Sequence, residues 1–380
     1  MDSSGYVYVT GESYNTWGTP LNAYGNIDIV IIKYGDGILP PPSVPTRVGV
    51  HRDNTFYLDA DGDLNFDAAS DRYSNFGTPA DTPVIGDWNG DGYDQIGIRR
   101  DNTFYLDYND NMAWEYPGDI FGNFGVATDT VLIGDWNGDG ADQVGVWRDG
   151  TFYLDYDGNL DFDPAVDKMY SFGAADGTPI TGDWNGDGSD QVGVWREGTF
   201  YLDYDGNLDF DPAVDKMYSF GASDGTPITG DWNGDGKDQI GVRSGSTFYL
   251  DYNGDGVFDP AVGKMGSFGL ATDKILIGDW NGDGAEQIGV HRDNTFYLDY
   301  DGDLNFDAAI DKFANFGTPD DIPVTGDWNG NGADQIGIRR GPTYYLDLNG
   351  NMAWEYPGDI FGNFGIATDK ILLGKWGPGL

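Results

Sequence analysis

No cysteine occurs anywhere in the 380 residues, so a disulfide framework and a thiolate metal centre are both excluded. Basic residues are scarce as well: 20 Lys and Arg stand against 64 Asp and Glu, a formal net charge of -44 with pI near 4.1. Binding to a phosphate backbone needs clustered Lys and Arg to displace counterions, so nucleic acid is excluded as a partner and cations become the natural one. Long apolar runs are missing, and no segment is predicted to insert in a membrane. The opening MDSSGYVYVTG also lacks the basic and apolar regions of a signal peptide; an extracellular chain would then be a fragment whose export signal lies elsewhere. Nothing reads as a long amphipathic helix.

What the sequence has in excess is glycine (60 residues) and aromatics (15%), the composition of many short strands joined by tight turns. It also repeats. GDWNGDG begins at Gly86 and returns unchanged at Gly134, Gly182, Gly230 and Gly278, as GDWNGNG at Gly326 and as GKWGPGL at Gly374, always 48 residues on. TFYLD begins at Thr55 and recurs with the same period to TYYLD at Thr343. Each unit holds β-branched or aromatic runs bounded by Gly, Asp and Asn, which predicts four strands.

Four strands per unit at a period in the forties predicts an all-β, seven-bladed β-propeller of 48-residue blades over residues 47–380. The repeat region opens on the second strand of a unit, Arg47–Arg52, and closes on a first strand, Ile371–Trp376. Pairing of these two would close the ring and remove its exposed edges. Residues 1–39 are out of frame and are separated by a Pro-rich linker over 40–46, stiff and extended. Tyr6–Gly11 and Asp28–Tyr34 read as two strands, too few to be stable alone. With the GYVYVTG opening and the DIVII run, this arm resembles an SBBP-type β-propeller repeat.

Two loops in each unit carry candidate metal ligands. In the first, GDWNGDGYDQ and its copies, oxygens at alternate positions followed by glycine suit a flexible Ca²⁺ cage. The first, third and fifth positions are Asp87, Asn89 and Asp91; Asp135, Asn137 and Asp139; Asp183, Asn185 and Asp187; Asp231, Asn233 and Asp235; Asp279, Asn281 and Asp283; and, in the sixth copy, Asp327 and Asn329 with Asn331 fifth. The eighth position is acidic throughout: Asp94, Asp142, Asp190, Asp238, Glu286 and Asp334. On these residues the chain resembles the FG-GAP and VCBS-type repeats of integrin-like propellers, whose loop reads D-x-[DN]-x-D-G-x-x-D. The resemblance implies calcium between the first two strands of a blade. One departure stands out: the family's ninth-position Asp is Gln here, from Gln95 to Gln335. Either the Gln carbonyl completes the shell, or the eighth-position acid reaches in.

The second loop follows TFYL and fits the nine-position pattern better. Its first, third, fifth and ninth positions are Asp59, Asp61, Asp63 and Asp67; Asp155, Asp157, Asn159 and Asp163; Asp203, Asp205, Asn207 and Asp211; Asp251, Asn253, Asp255 and Asp259; and Asp299, Asp301, Asp303 and Asp307. The copies starting at Asp107 and Asp347 carry only two carboxylates each, ending in Glu115 and Glu355, and are expected to bind most weakly. Asp, Asn and Gly are ordinary turn residues, but more than half of the chain's acids fall in these loops, where they would repel without a cation.

The GDW tryptophans, Trp88 to Trp376, are expected to pack between blades, each contributing at most ~4–6 kcal/mol from ~150–250 Å² of burial. The position before the turn between the second and third strands varies: His51, Arg99, Trp147, Trp195, Arg243, His291 and Arg339. Such residues could form a ring that stacks on sugars or meets acidic partners, or could be a drifting surface position. An active site needs unlike residues gathered in one place, whereas here nearly every acid is repeated and even the two histidines occupy equivalent positions. The expectation is a non-enzymatic, extracellular, calcium-stabilised scaffold for adhesion, protein–protein interaction or surface assembly. A multivalent lectin is the alternative, a glycan-active enzyme the less favoured one, and self-association through residues 1–39 is a further expectation.

Overall fold

The structure, a computed structural model, describes residues 44–171, 175–257 and 262–378. The arm at 1–39 and most of the Pro-rich linker therefore lie outside the described residues. Seven four-stranded antiparallel sheets are formed, with no helix among the described residues. Blade 2 shows the plan: strands Thr82–Gly86, Gln95–Arg100, Thr103–Leu106 and Ile120–Asn123 pair in that order. Blades 3 to 7 start at Thr130, Thr178, Thr226, Lys274 and Ile322.

Burial sets the direction of each blade. In five of the seven blades the first strand is buried after its first residue, as in Thr226–Gly230, whereas in six the fourth alternates half-buried with exposed, as in Lys216–Ser219. First strands of successive blades touch, which puts them innermost, around the axis. TFYL shows the period of two expected of a strand with one apolar face: Phe and Leu are buried, Thr and Tyr only half so.

Blade 1 is assembled from both ends of the propeller. Lys370–Gly374 lies beside Arg47–Arg52, with Val48 opposite Leu373 and Val50 opposite Ile371. The expected closure is thus present, and Arg52 adds a bidentate pair to Asp369 across it at 2.7–2.8 Å.

The core is divided among the interfaces. Each of seven apolar clusters spans two adjacent blades; one joins Ile228, Trp232, Phe248 and Leu250 of blade 5 to Ile277, Ile288 and Val290 of blade 6. Another joins Trp328 and Tyr344 of blade 7 to Val48, Val50 and Leu64 of blade 1. All seven GDW-type tryptophans are 2–3% exposed, so they are packing residues, as expected. Crossing segments between blades add a polar latch. Asp129 accepts Arg148 of blade 3 on its carboxylate at 2.6 Å and Arg99 of blade 2 on its backbone oxygen at 2.8 Å.

Candidate metal centres

Strand direction puts both acidic loops on one face of the disc. The first loop leaves the innermost strand and the second leaves the third strand, which runs parallel to it within the antiparallel sheet. They touch: Asn137 Nδ2 donates to Tyr156 O at 2.9 Å, and Asn185 Nδ2 to Tyr204 O at 3.0 Å.

In the first loop of blade 4, Asp183 takes the N–H groups of Gly186, Asp187 and Gly188 at 2.6, 3.2 and 2.9 Å. Asn185 Oδ1 takes Asp187 N at 2.8 Å, and Asp187 Oδ1 takes Ser189 N at 2.9 Å. The same scheme holds the copies at Asp87, Asp135, Asp231 and Asp279, whose fifth-position Asp91, Asp139, Asp235 and Asp283 cap the loop end. Asn137, Asn233, Asn281 and Asn89 bond back to the second loop, as does Asn329 in the loop opened by Asp327. Glycine is required after the fifth position, where φ is +83 to +90°.

Neither expectation for the departure from the family pattern matches the geometry. Gln191 Oε1 turns away to accept Trp184 N at 2.9 Å, so its amide nitrogen faces the loop and donates to Ser189 O at 2.6 Å and Asp187 Oδ1 at 3.4 Å. Gln95, Gln143, Gln239, Gln287 and Gln335 repeat this arrangement. The eighth-position acids do not enter their own loops either. Asp142 Oδ2 accepts Asp87 N of the preceding blade at 2.9 Å while Asp142 N donates to Asp87 O at 2.7 Å. Asp190 and Asp238 do the same to Asp135 and Asp183, Glu286 and Asp334 to Asp231 and Asp279, and Asp94 to Lys375. These acids are hooks that join blade to blade. Burial pushes Asp94 up to about 7 and holds Asp142 and Glu286 well above the usual carboxylate range.

Carboxylates converge in the second loops. Oxygens of Asp59, Asp61 and Asp63 lie within 4.8 Å of one another, as do those of Asp299, Asp301 and Asp303; Asp155 and Asp157 converge with Asp167, and Asp203 and Asp205 with Asp215. Desolvation, reinforced by the neighbouring acids, pushes Asp59, Asp155, Asp203 and Asp299 up to about 7. The sixth residue anchors the loop: Leu64, Leu160, Leu208 and Leu304 hold φ near +60°, bury their side chains against the preceding blade, and donate N–H to the first-position Asp. Left-handed leucine is costly, and the interblade burial offsets it.

The ninth position is not where the sequence pattern placed it. Asp67, Asp163, Asp211 and Asp307 each cap their own turn, accepting the N–H two residues on at 2.9 Å. The thirteenth residue instead turns inward: Asp215 accepts Tyr204 N at 2.9 Å and Asp211 N at 2.6 Å. Asn159 and Asn207, fifth in their loops, bond to Asp157 and Asp205. In blade 5, Asp251 takes Gly256 N, and Asn253 donates to Asp255 at 2.8 Å; Asp259 lies outside the described residues. In the two loops with fewest acids, Glu115 accepts the amides of Asn109 and Asn111, and Glu355 those of Asn349 and Asn351.

The variable ring sits at the opposite ends of the strands and is largely occupied by the fold. His51 and His291 are 4% exposed, lie in tilted contact with Phe56 and Phe296 at ring-centre distances of 4.5 and 4.4 Å, and are lowered to about 4 by burial. Arg99, Arg243 and Arg339 each clamp two backbone carbonyls of a crossing segment. Trp147 and Trp195 pack partly buried against interblade clusters.

No protein-family model matches the chain, and no curated protein matches it. Among solved structures it is similar to a lectin from Agrocybe aegerita, described as specifically recognising non-reducing terminal N-acetylglucosamine. The TM-score is 0.59 at 15% identity over 83% of this chain and 90% of the lectin chain. A structure of BBS1N in complex with ARL6DN aligns over 70% and 77% of the two chains, with TM-score 0.39 and 10% identity. At 15% identity the likeness to the lectin is one of fold, and what the chain shares with it is the β-propeller.

Proposed function

We propose that this chain is a non-enzymatic, calcium-stabilised propeller of the FG-GAP/VCBS kind, working outside the cell as a rigid scaffold for multivalent contacts. The observation that carries this reading is the repetition of converging carboxylates on one face of a closed disc, at Asp59, Asp155, Asp203 and Asp299. Like charges held this close favour a divalent ion. Chemistry of the acid–base kind would need unlike groups in one place, and the repeat supplies similar sites around a ring instead.

The test is melting temperature against free Ca²⁺. An ion bound only by the folded chain adds about 2.7 kcal/mol at a hundredfold excess over Kd, so chelation is expected to lower the Tm and millimolar Ca²⁺ to restore it. A Tm indifferent to both would remove the calcium part of the proposal. Residues 1–39 are assigned, on their SBBP-like sequence, to an arm that pairs with a neighbouring molecule. Light scattering is expected to show larger particles for the full chain than for one starting at Arg47, and equal masses would end that idea.

Carbohydrate binding is the second reading, and one observation favours it besides the lectin fold. Trp114, Tyr116 and Phe121 form an edge-to-face cluster with Tyr116 74% exposed, and Trp354, Tyr356 and Phe361 repeat it with Tyr356 73% exposed. Exposed aromatic faces of this kind suit the apolar face of a sugar ring.

A further inference from the structure

Resting on the calcium reading, we infer that the ions bind in the second loops and not in the first. In blades 3 and 4 their ligands are Asp155, Asp157 and Asp167, and Asp203, Asp205 and Asp215. The last member of each set lies twelve residues after the first, outside the nine-residue window of the repeat.

Three observations converge. Asp203 is fully buried; its Oδ2 takes Leu208 N at 2.9 Å while its Oδ1 has no hydrogen-bond partner, and its carboxylate stands among the converging oxygens of Asp205 and Asp215. An unpaired buried carboxylate oxygen costs the full desolvation of a charged group, and a bound cation removes that cost. The spacing is right for calcium: two oxygens on opposite sides of one Ca²⁺, each at about 2.3–2.6 Å, stand roughly 4.6–5.2 Å apart, and the three ligand oxygens lie within 4.8 Å of one another. Asp215 is also fixed before any ion arrives, since the N–H groups of Tyr204 and Asp211 hold it in place. Asp167 is held identically by Tyr156 N at 2.8 Å and Asp163 N at 2.6 Å.

A neighbouring lysine is engaged elsewhere. Lys168 of blade 3 reaches over the loop of blade 4, but its Nζ donates to Gly206 O at 2.6 Å and lies 4.0 Å from the Tyr156 ring centre. The equivalent residue beside the blade 3 loop is Ile120.

The first loops are closed by their own side chain. Trp184 N is a donor, so the Gln191 amide must present oxygen to it and NH₂ to the loop. That NH₂ bonds the seventh-position carbonyl and the fifth-position carboxylate, oxygens that an ion in this loop would need. A donor therefore stands where a cation would.

Calorimetric titration of the chelator-stripped full chain with CaCl₂ tests this. The double variant Asp167→Asn/Asp215→Asn is expected to bind about two fewer ions than the parent, whereas Asp139→Asn/Asp187→Asn binds as many as the parent. Gln191→Asp, which replaces the plugging amide with an acceptor, is expected to gain about one. Circular dichroism in chelator identifies any variant that fails to fold, and Gln191→Asp then carries the test, because it reads a gain. Loss of ions in Asp139→Asn/Asp187→Asn with none lost in Asp167→Asn/Asp215→Asn overturns the placement and leaves the calcium reading standing. No added ion in Gln191→Asp also overturns it, since the first loops would then be filled already. Absence of calcium binding by the parent overturns both.

Discussion

Deleting Lys370–Leu380 is expected to abolish the cooperative thermal transition and to yield soluble oligomers or aggregate. Blade 1 would lose its innermost strand, leaving the backbone of Arg47–Arg52 as an open edge, and unpaired edges recruit other chains. The interface to blade 2 would lose Leu372 and Trp376, which are 4% and 2% exposed and pack with Ile85, Ile96 and Ile98. Truncating one buried tryptophan to alanine costs about 3–5 kcal/mol, against a total stability of about 5–15 kcal/mol for a typical domain. Trp376→Ala alone should therefore fold with a markedly lower Tm, while the deletion should not fold as a ring. Placing residues 370–374 and a GDWNGDG loop ahead of Arg47 rebuilds blade 1 in one piece and is expected to restore the transition. Calorimetry and gel filtration check all three, and a deletion that melts like the parent would refute the role given to this strand.

The second large effect is a reversal of the pH dependence by calcium. In chelator, the folded chain holds Asp59, Asp155, Asp203 and Asp299 up to about 7, against about 3.9 when unfolded. Between those values the folded state binds more protons, so stability falls as pH rises from about 4 to 7. His51 and His291 oppose this, since their folded values near 4 lie below the ordinary 6.5 and they favour the folded state at higher pH. Every tenfold change in proton affinity between the folded and unfolded chain is worth about 1.4 kcal/mol. The four acids move at least as far up as the two histidines move down, so the acids decide the sign. The chelated protein should thus melt higher at pH 5 than at pH 7.5. A dication among the same carboxylates drives their folded values below the unfolded one, and the order inverts: with saturating Ca²⁺ the higher Tm belongs to pH 7.5. Parallel pH profiles with and without calcium would sink this prediction.

Much of the architecture could be read from spacing alone. A 48-residue period, runs such as TFYL, and a repeat region that begins on a second strand and ends on a first strand together specify blades, their number and the seam, because each depends on order along the chain. What escaped depended on order in space. The turn of the Gln191 amide is set by the Trp184 N–H, a donor that sequence does not place. Asp142 acts on Asp87, 55 residues away in another blade, so a nine-residue window misassigns it to its own loop. The inward-turning acid was within reach: Asp71, Asp119, Asp167, Asp215, Asp311 and Asp359 stand at one repeat position, broken only by Gly263. The ring from His51 to Arg339 is occupied differently from blade to blade: the histidines lie tilted on a Phe of the next strand, the arginines clamp the crossing segment, and Trp147 packs on an interblade cluster.

The hooks made by the eighth-position acids run head to tail, with each blade offering a carboxylate backwards and an N–H forwards. Such a contact carries no instruction to stop, and an unbroken series of identical units could grow a ring of another size or an open helix. The series is broken at one place. Thr46 stands where the other blades have an acid, donating its N–H to Asp327 O without a carboxylate to reciprocate, whereas Lys375, in place of the first-position aspartate, still makes the hook to Asp94 through its backbone. An extra unit gained by unequal recombination inside the array would find compatible neighbours on both sides. One added beyond the seam would meet Thr46 and find no carboxylate there, so the arithmetic of the wheel is kept by one atypical residue.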